Sequence, residues 1–572
     1  MRKFNILVSF AAAALLFVGC GGPQKMADNA NLVNYTVTPD PLETHGGKVA
    51  LDVNVRYPEK YFHKKAIVTA TPFLRYEGGE TELKSETMQG EQVEDNYRVI
   101  SYTSGGSFDY SDEIDYTDAM MRSELMVRGT ATVKSKSVDL PAVKIADGII
   151  TTPLLVRNDP KTIAFGDDFQ RIIPQEYIAD IHYIINRYDV RNSELQQEDI
   201  VGMKDFIVQA NANERVDMKG IQVSAYASPD GPEDFNTTLS GNREGSANRY
   251  LQQELSRSKI NVPEDEDFFD LMSTPEDWEG FRELMEASTI TDKDLILRVL
   301  SMYTDPVVRE REIKNIAEAF EEIKVEILPK LRRSKFTVNT EFTNWSDAEL
   351  RQWVKTDIDT LGLEELLYAA TLFDDNQSKL TILQHTWAEF PECPRAANNL
   401  GLVQLAMGRT ADAKASFEAA QKLMDHNIVK NNLGVVAMKE GDVETAENLF
   451  TSAMGAGDEV KYNLGIIKIM QGDYQAAKSY FGAAASFNNA LVILLNDNPS
   501  QAAEMLNQLD DDPTGATEYL MAVAGARDNN TDLMYNSLRT AIAKNASWKA
   551  HAAKDVEFYQ YFEEDLFRQV TQ

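Results

Sequence analysis

The sequence predicts a multidomain α+β protein that begins with β-structure and ends in an α-solenoid. Three observations predict this order. Short runs of alternating apolar and polar residues fill the first quarter, a strand–helix–strand–helix pattern follows, and a motif recurs in helical phase towards the carboxyl end. At 572 residues the chain is long enough for about three or four domains.

The amino-terminal residues have the pattern of a bacterial export signal. A positive pair, Arg2 and Lys3, precedes an apolar run that ends at Val18, and Cys20 follows closely. This arrangement resembles a lipoprotein signal peptide over residues 1–20, and the resemblance implies that Cys20 carries a lipid. The alternative is an ordinary secretory signal that happens to end near a cysteine.

The residues after Cys20 predict where the protein resides. Residues 21–32 are rich in small and polar side chains, which predicts a flexible tether. No Asp follows Cys20 directly, and no dense acidic run follows it either. By resemblance to other lipoproteins, we expect a lipid anchor in the outer membrane and a body that faces the periplasm.

Residues 33–160 read as a series of short strands. Residues from Leu51 to Val55 alternate cleanly, and further β-rich runs begin at Ala66, Leu125 and Val138. Glycine and Asn/Asp breaks separate these runs. The pattern predicts an immunoglobulin-like β-sandwich.

Residues 165–345 predict a βαβαβ domain. Its strands and helices are expected near the following ranges: Tyr177–Tyr188, Leu195–Ala210, Ile221–Tyr226, Leu239–Leu255 and Phe336–Phe342. The closing strand comes late because an insertion at about 259–333 separates it from the second helix. Amphipathic runs in that insertion predict helices.

The loop after Ile221–Tyr226 resembles the OmpA-like peptidoglycan-binding domain. Six residues match the family pattern without a gap: Tyr226, Gly231, Asn236, Leu239, Ser240 and Arg243. The resemblance implies that Arg243 binds the carboxylate of a diaminopimelate group, but Ser228 stands where the family has Asp. Asp230 is the candidate for the missing carboxylate. The candidate ligand-binding residues are therefore Ser228, Asp230, Asn236 and Arg243, and the alternative for Arg243 is a structural salt bridge.

The A-S-P-D-G loop and the helical insertion also resemble a variant group of OmpA-like proteins, more closely than the peptidoglycan-binding type.

Residues 350–572 contain an internal repeat. An Asn-Leu-Gly motif recurs, with a further Gly and then a Phe at matched spacing, which resembles the tetratricopeptide repeat (TPR). The signature residues are Leu400, Gly401, Gly408, Phe417, Leu433, Gly434, Gly441, Phe450, Leu464, Gly465, Gly472 and Phe481. Weaker units flank these three. We expect a TPR-like α-solenoid of about five or six helix pairs.

Composition argues against several functions. A formal net charge of −33 argues against nucleic acid as a partner, because that binding needs Lys and Arg. The six His residues are scattered, and no nucleotide-binding, metal-binding or nucleophile motif is present in the sequence. We therefore predict no enzyme activity, no catalytic residues, no cofactor and no metal.

Two functional hypotheses remain. The first is a scaffold or assembly factor of an outer-membrane protein complex, whose TPR groove binds outer-membrane or periplasmic proteins. The alternative is an anchor that links the outer membrane to the cell wall by binding peptidoglycan. In both, lipid on Cys20 provides the contact with the membrane.

Overall fold

A computed structural model describes residues 22–260, 268–290 and 292–572. The signal peptide and Cys20 lie outside these described residues. The chain forms two compact units: the described residues up to Phe165 together with Trp387–Gln572 form the first, and Gly166–Thr386 form the second. Chain segments far apart in sequence thus share the first unit.

The amino-terminal part of the first unit is built from two sheets. Its strands are β1 (Asn34–Thr38), β2 (Lys48–Tyr57), β3 (Ala66–Tyr76), β4 (Gly79–Glu82), β5 (Glu86–Gly90), β6 (Arg98–Ile100), β7 (Gly106–Asp115), β8 (Ser123–Val133) and β9 (Lys136–Gly148). One sheet has the order β1-β2-β7, and the other has the order β6-β5-β3-β8-β9 with β4 paired to β3. Every second residue of β2 is buried, so the alternation in the sequence places Leu51, Val53 and Val55 in a core shared with the second sheet.

The tether prediction is wrong for residues 23–32, because the chain is folded from Pro23 onwards. Helix α1 (Pro23–Asp28) packs against β8 and β9, and Met26 on this helix is fully buried. The hydroxyl of Tyr61 donates to the carbonyl of Met26 over 3.2 Å. Met26 and Ala30 are apolar four residues apart, and this spacing gave the segment a face to bury.

A four-stranded sheet forms the centre of the second unit. It contains β10 (Ile172–His182), β11 (Val216–Tyr226), β12 (Phe269–Thr274) and β13 (Arg333–Thr343) in the order β10-β13-β11-β12. Helices α2 (Glu198–Ala212) and α3 (Glu233–Arg257) connect the strands and pack on the sheet. The late strand β13 is antiparallel to both β10 and β11. Strand β12, parallel to β11, is an addition that the sequence did not predict.

The rest of the insertion is helical and has its own apolar core. Its helices are α4 (Trp278–Ala287), α5 (Lys293–Met302), α6 (Pro306–Lys314), α7 (Ala317–Glu326) and α8 (Leu328–Leu331). Phe281, Met285, Ile296 and Leu331 are among the residues buried in this core. After β13 the chain continues through α9 (Asp347–Thr356), α10 (Leu363–Thr371) and α11 (Asn376–Glu389).

The carboxyl-terminal part of the first unit is a series of helix pairs. The helices are α12 (Pro394–Ala406), α13 (Thr410–Leu423), α14 (Asn427–Glu440), α15 (Val443–Ser452), α16 (Asp458–Met470), α17 (Tyr474–Phe481), α18 (Phe487–Leu495), α19 (Pro499–Leu506), α20 (Ala516–Arg527), α21 (Thr531–Lys544), α22 (Ser547–Ala552) and α23 (Asp565–Thr571). The three repeats of the sequence motif form the pairs that begin at α12, α14 and α16.

The repeat signature is explained by contacts inside each pair. A Cβ atom added at Gly434 would lie 2.6 Å from Cε1 of Phe450, so this Gly allows the two helices to approach closely. Gly401 and Gly465 have the same relation to Phe417 and Phe481. The turns between the paired helices contain Gly408, Gly441 and Gly472, whose φ angles of +75°, +84° and +79° favour glycine.

Candidate functional site

The first helices of four solenoid pairs, α12, α14, α16 and α18, contact an extended stretch of the chain's own backbone. This stretch, Arg157–Phe165, follows the sheets in sequence and belongs to the same unit as the solenoid; we call it the groove segment. Ile163 and Phe165 pack against the apolar core of the solenoid. The groove segment thus occupies the face on which the sequence predicts a partner.

Asparagine side chains hold the groove segment through its main chain. Four Asn residues each pair with a single segment residue: the side-chain oxygen accepts from the main-chain N–H and the side-chain NH₂ donates to the main-chain carbonyl. The pairs are Asn488 with Arg157 (2.8 and 2.9 Å), Asn463 with Lys161 (2.6 and 2.8 Å), Asn432 with Ile163 (2.8 and 2.7 Å) and Asn399 with Phe165 (2.9 and 2.8 Å). This contact resembles one side of a β-ladder, and it requires no particular segment side chain.

The asparagines are also bonded to one another. Asn432 donates to Asn398 over 2.8 Å, and Asn463 donates to Asn431 over 3.0 Å. Asn431 also donates to the carbonyl of Lys161 over 3.0 Å. These solenoid amides are fully buried, so the segment supplies partners that water cannot reach.

Arg157 and Asp159 add side-chain contacts at one end of the groove segment. The guanidinium of Arg157 lies 3.8 Å from the ring centroid of Phe487 and forms an ion pair with Asp512. Burial alone would raise the pKa of Asp512, but hydrogen bonds from Thr514 and Thr517 together with Arg157 hold that pKa well below its usual range. The carboxylate of Asp159 accepts from the hydroxyl of Tyr462 over 2.8 Å.

The structure also brings together the predicted loop residues of the second unit. The hydroxyl of Ser228 donates to the carboxylate of Asp230. Asn236, near the start of α3, donates to the carbonyls of Ser228 and Gly231 over 3.2 Å each. Asn236 therefore fixes the loop to the helix and has no NH₂ hydrogen left for a ligand.

Arg243 is used inside the protein. Its side chain is 1% exposed, and its nitrogens donate to the carbonyls of Tyr226 (2.7 Å), Arg187 (3.0 Å) and Ile184 (3.5 Å). The ring of Tyr183 lies 5.0 Å from the guanidinium. Burial lowers the pKa of Arg243 to about 10, so the group stays charged at neutral pH. This arrangement joins α3 to the end of β11, and main-chain carbonyls take the place of the salt bridge considered above.

The arginine that faces the loop is Arg332, which sequence reasoning missed. Its Nε donates to Ser228 Oγ over 3.1 Å, and its Nη2 lies 3.2 Å from the carboxylate of Asp230. Arg332 closes the insertion immediately before β13. A basic pair, Arg332 and Arg333, at that junction was the available signal.

The groove asparagines were also missed. Their signal was present in the repeats, where Asn398-Asn399 recurs as Asn431-Asn432 before the Leu-Gly motif. A buried Asn is not needed for helix packing, so its recurrence at one repeat position indicates a shared polar partner.

Three further features concern metal binding, membrane spanning and the free cysteine. In the described part of the chain, no group of His, Cys, Asp or Glu side chains has the arrangement of a metal site. None of the described helices combines the length and the apolar character that crossing a membrane requires. Cys393 is a buried free thiol at the start of α12.

Comparisons with known proteins identify the repeats. The sequence profile of the tetratricopeptide repeat matches residues 394–423, which are α12 and α13. No curated protein sequence matches the chain.

The solved structures to which the chain is similar are distant from it. Pseudomonas aeruginosa PilF is 14% identical, covers 39% of this chain and 97% of its own, and has a TM-score of 0.28. PilW, a type IV pilus biogenesis factor, is 15% identical over 39% of this chain and 89% of its own, with a TM-score of 0.23. YrrB, a TPR protein with an unusual peptide-binding site, is 17% identical over 36% of this chain and 100% of its own, with a TM-score of 0.22.

Proposed function

We propose that the chain is a non-enzymatic scaffold or assembly factor of an outer-membrane protein complex. Lipid on Cys20 would hold it at the membrane, with its body in the periplasm. The observation that carries the proposal is the asparagine-lined groove, because its side chains recognise extended protein main chain and no particular side chain. A surface with that chemistry is suited to holding protein segments.

Space for a partner remains beside the groove segment. The groove cleft measures about 660 Å³ and is bordered by Arg157, Lys161 and six carboxylates. These carboxylates belong to Asp159, Asp458, Glu459, Asp510, Asp511 and Asp512. The excess of negative charge favours a basic segment of a periplasmic or outer-membrane protein.

Crosslinking followed by mass spectrometry on intact membranes tests the scaffold proposal. We expect crosslinked peptides that join a second protein to the solenoid, with lysines of the partner bonded to carboxylates such as Asp458 and Glu459. Recovery of the uncrosslinked monomer alone would contradict the proposal.

A matched pair of variants locates the partner. The double substitution Asp458→Asn and Glu459→Gln removes two charges from the groove cleft, and we expect it to lower the yield of crosslinked partner. Asp532→Asn with Glu444→Gln removes the same charge from exposed positions outside that cleft and should leave the yield unchanged.

The peptidoglycan anchor is a second candidate, supported by one observation. Asp230 lies beside Ser228 and Arg332. The carboxylate of the loop and the guanidinium at the end of the insertion therefore lie together, and they suit the two charges of a zwitterion. A pull-down with purified peptidoglycan tests this function. Asp230→Asn should abolish retention, whereas Asp234→Asn, at an exposed position on α3, should not. No retention of the unmodified protein would exclude the anchor.

A further inference from the structure

A cleft lies beside the first described residues of the chain. Gly22 and Lys25 line a cleft of about 430 Å³ on the sheet part of the first unit. In the sequence, Cys20 is two residues before Gly22. Helix α1, which follows Gly22, is held on the sheets by the buried Met26.

The cleft beside Gly22 is basic, although the chain as a whole is strongly acidic. Its charged lining consists of Lys25, Lys60, Lys64 and Lys65, without any described carboxylate. The formal charge of the whole chain is −33, so a patch of this sign is unusual on its surface. We call these four residues the lysine patch.

Three members of the lysine patch are exposed and have no ion-pair partner among the described residues: Lys25, Lys60 and Lys65. Lys64 is half-buried, with its ammonium 3.2 Å from the carboxylate of Glu91. His63, between them, has its pKa lowered by burial and by Lys65, so it adds no positive charge at neutral pH. The patch thus retains ammonium groups for an external anion.

We propose that the lysine patch binds the anionic headgroups of the membrane in which the lipid on Cys20 is inserted. The inference rests on the proposed lipid anchor. Attachment at Cys20 brings the patch to the bilayer surface, where each lysine is attracted by the phosphate layer. Lipid insertion and the patch then act as two membrane signals, and together they hold the sheet part of the first unit against the bilayer.

Lysine acylation of the lipidated full chain tests this inference. The protein is placed in vesicles of phosphatidylcholine or of an equal mixture of phosphatidylcholine and phosphatidylglycerol, and a water-soluble amine reagent is added. We expect Lys25, Lys60 and Lys65 to react about five-fold more slowly on the anionic vesicles. High salt should remove the difference, because it screens the attraction.

Exposed lysines away from the patch provide the control. Lys136, Lys355 and Lys439 should react equally on both kinds of vesicle. Equal reactivity of the patch lysines on both kinds would overturn the inference. Protection of the patch by inorganic phosphate without vesicles would also overturn it, because it would indicate a site for a small anion.

A variant pair uses Lys64 as a reporter. In the unmodified chain we expect Lys64 also to react more slowly on anionic vesicles. In the triple variant Lys25→Gln, Lys60→Gln and Lys65→Gln, we expect Lys64 to lose this protection. The charge-matched variant Lys136→Gln, Lys355→Gln and Lys439→Gln should keep it. Retained protection in the first variant would contradict the inference.

The mass of the amino-terminal peptide separates this inference from the proposed function. An unlipidated Cys20 would contradict the lipid anchor itself. A lipidated chain whose patch is not protected would contradict the headgroup contact alone.

Discussion

The groove of the solenoid and the loop of the second unit are both places where the sequence predicts a ligand, and in both the chain supplies the partner. In the groove, Asn432 and Asn463 bind main-chain groups of a segment about 270 and 300 residues earlier in the sequence. In the loop region, Arg243 binds carbonyls of its own unit. The groove uses neutral amides that fit any extended chain, whereas Arg243 uses a fixed charge in one buried position.

This difference changes what each site can offer. A groove that recognises main chain can exchange one segment for another, because the hydrogen bonds do not depend on sequence. A buried guanidinium bonded to carbonyls is part of the fold, and its removal leaves those carbonyls without partners. Substitutions at the two sites should therefore differ in their cost to stability.

Of the substitutions considered, replacement of Arg243 should have the largest effect on stability, and this effect should fall on the second unit. Arg243→Ala empties a buried side-chain site and removes the donor to three main-chain carbonyls, and we expect the free energy of unfolding to fall by about 3–5 kcal/mol. Urea unfolding followed by proteolysis of residues 166–386 measures it. Arg257→Ala, at an exposed end of the same helix, should cost less than about 0.5 kcal/mol. An Arg243→Ala protein as stable as the unmodified one would contradict the structural role assigned to the guanidinium.

Replacing a groove asparagine should have the next largest effect. Asn432→Ala leaves the N–H of Ile163 without a partner and removes the bond to Asn398. It also removes the shorter of the two bonds to the carbonyl of Ile163, which keeps only the 3.3 Å bond from Asn398. We expect a loss of about 2–4 kcal/mol in the first unit. Thermal unfolding measures it. Asn536→Ala, at an exposed position on α21, should be neutral or slightly stabilising, because Ala has the higher helix propensity. Equal effects of the two substitutions would argue that the groove contact contributes nothing to stability.

Replacing a glycine of the repeat signature tests the packing of the paired helices without changing the groove asparagines. Gly434→Ala forces a methyl group against Phe450, and we expect a loss of about 1–3 kcal/mol. Gly245→Ala, on α3 with open space around its Cβ position, should stabilise by about 0.5–1 kcal/mol because it favours the helix. Thermal melting of each single variant measures both. Stabilisation by Gly434→Ala would contradict the close contact between the paired helices.

The smallest effects test main-chain recognition. Lys161→Ala keeps the N–H that binds Asn463 and should change the free energy of unfolding by less than about 0.5 kcal/mol, since an exposed ion pair contributes little. Lys161→Pro removes that N–H and should cost about 1–2 kcal/mol. Urea unfolding of the two variants compares them directly. A larger cost for Ala than for Pro would mean that the groove recognises the side chain.

The repeats were predictable because packing leaves a side-chain pattern. Gly434 and Phe450 must be small and large for the two helices to touch, so the spacing in the sequence reports the contact. The alternation of β2 reported its buried face in the same way. The added strand β12 was missed because it is short and mostly exposed, and therefore has no alternating apolar pattern.

The groove segment could not be predicted from its own residues. Its hydrogen bonds use the main chain, which every residue has, so Arg157–Phe165 contains no pattern for them. The hydrogen-bond partners of the Arg243 side chain could not be predicted either. A motif places a residue on a helix but does not specify which carbonyls surround its side chain. Helix α1 was not predicted because it depends on the packing of Met26 against the sheets. The small and polar residues around Met26 give no sign of that packing.

Hydrogen exchange along the groove segment measures whether the solenoid holds this stretch of its own chain. We expect slow exchange for the amides of Arg157, Lys161, Ile163 and Phe165 in the full-length protein. Asn432→Ala should accelerate exchange at Ile163 in particular. Fast exchange of all four amides in the unmodified protein would contradict the claim that the solenoid holds its own chain.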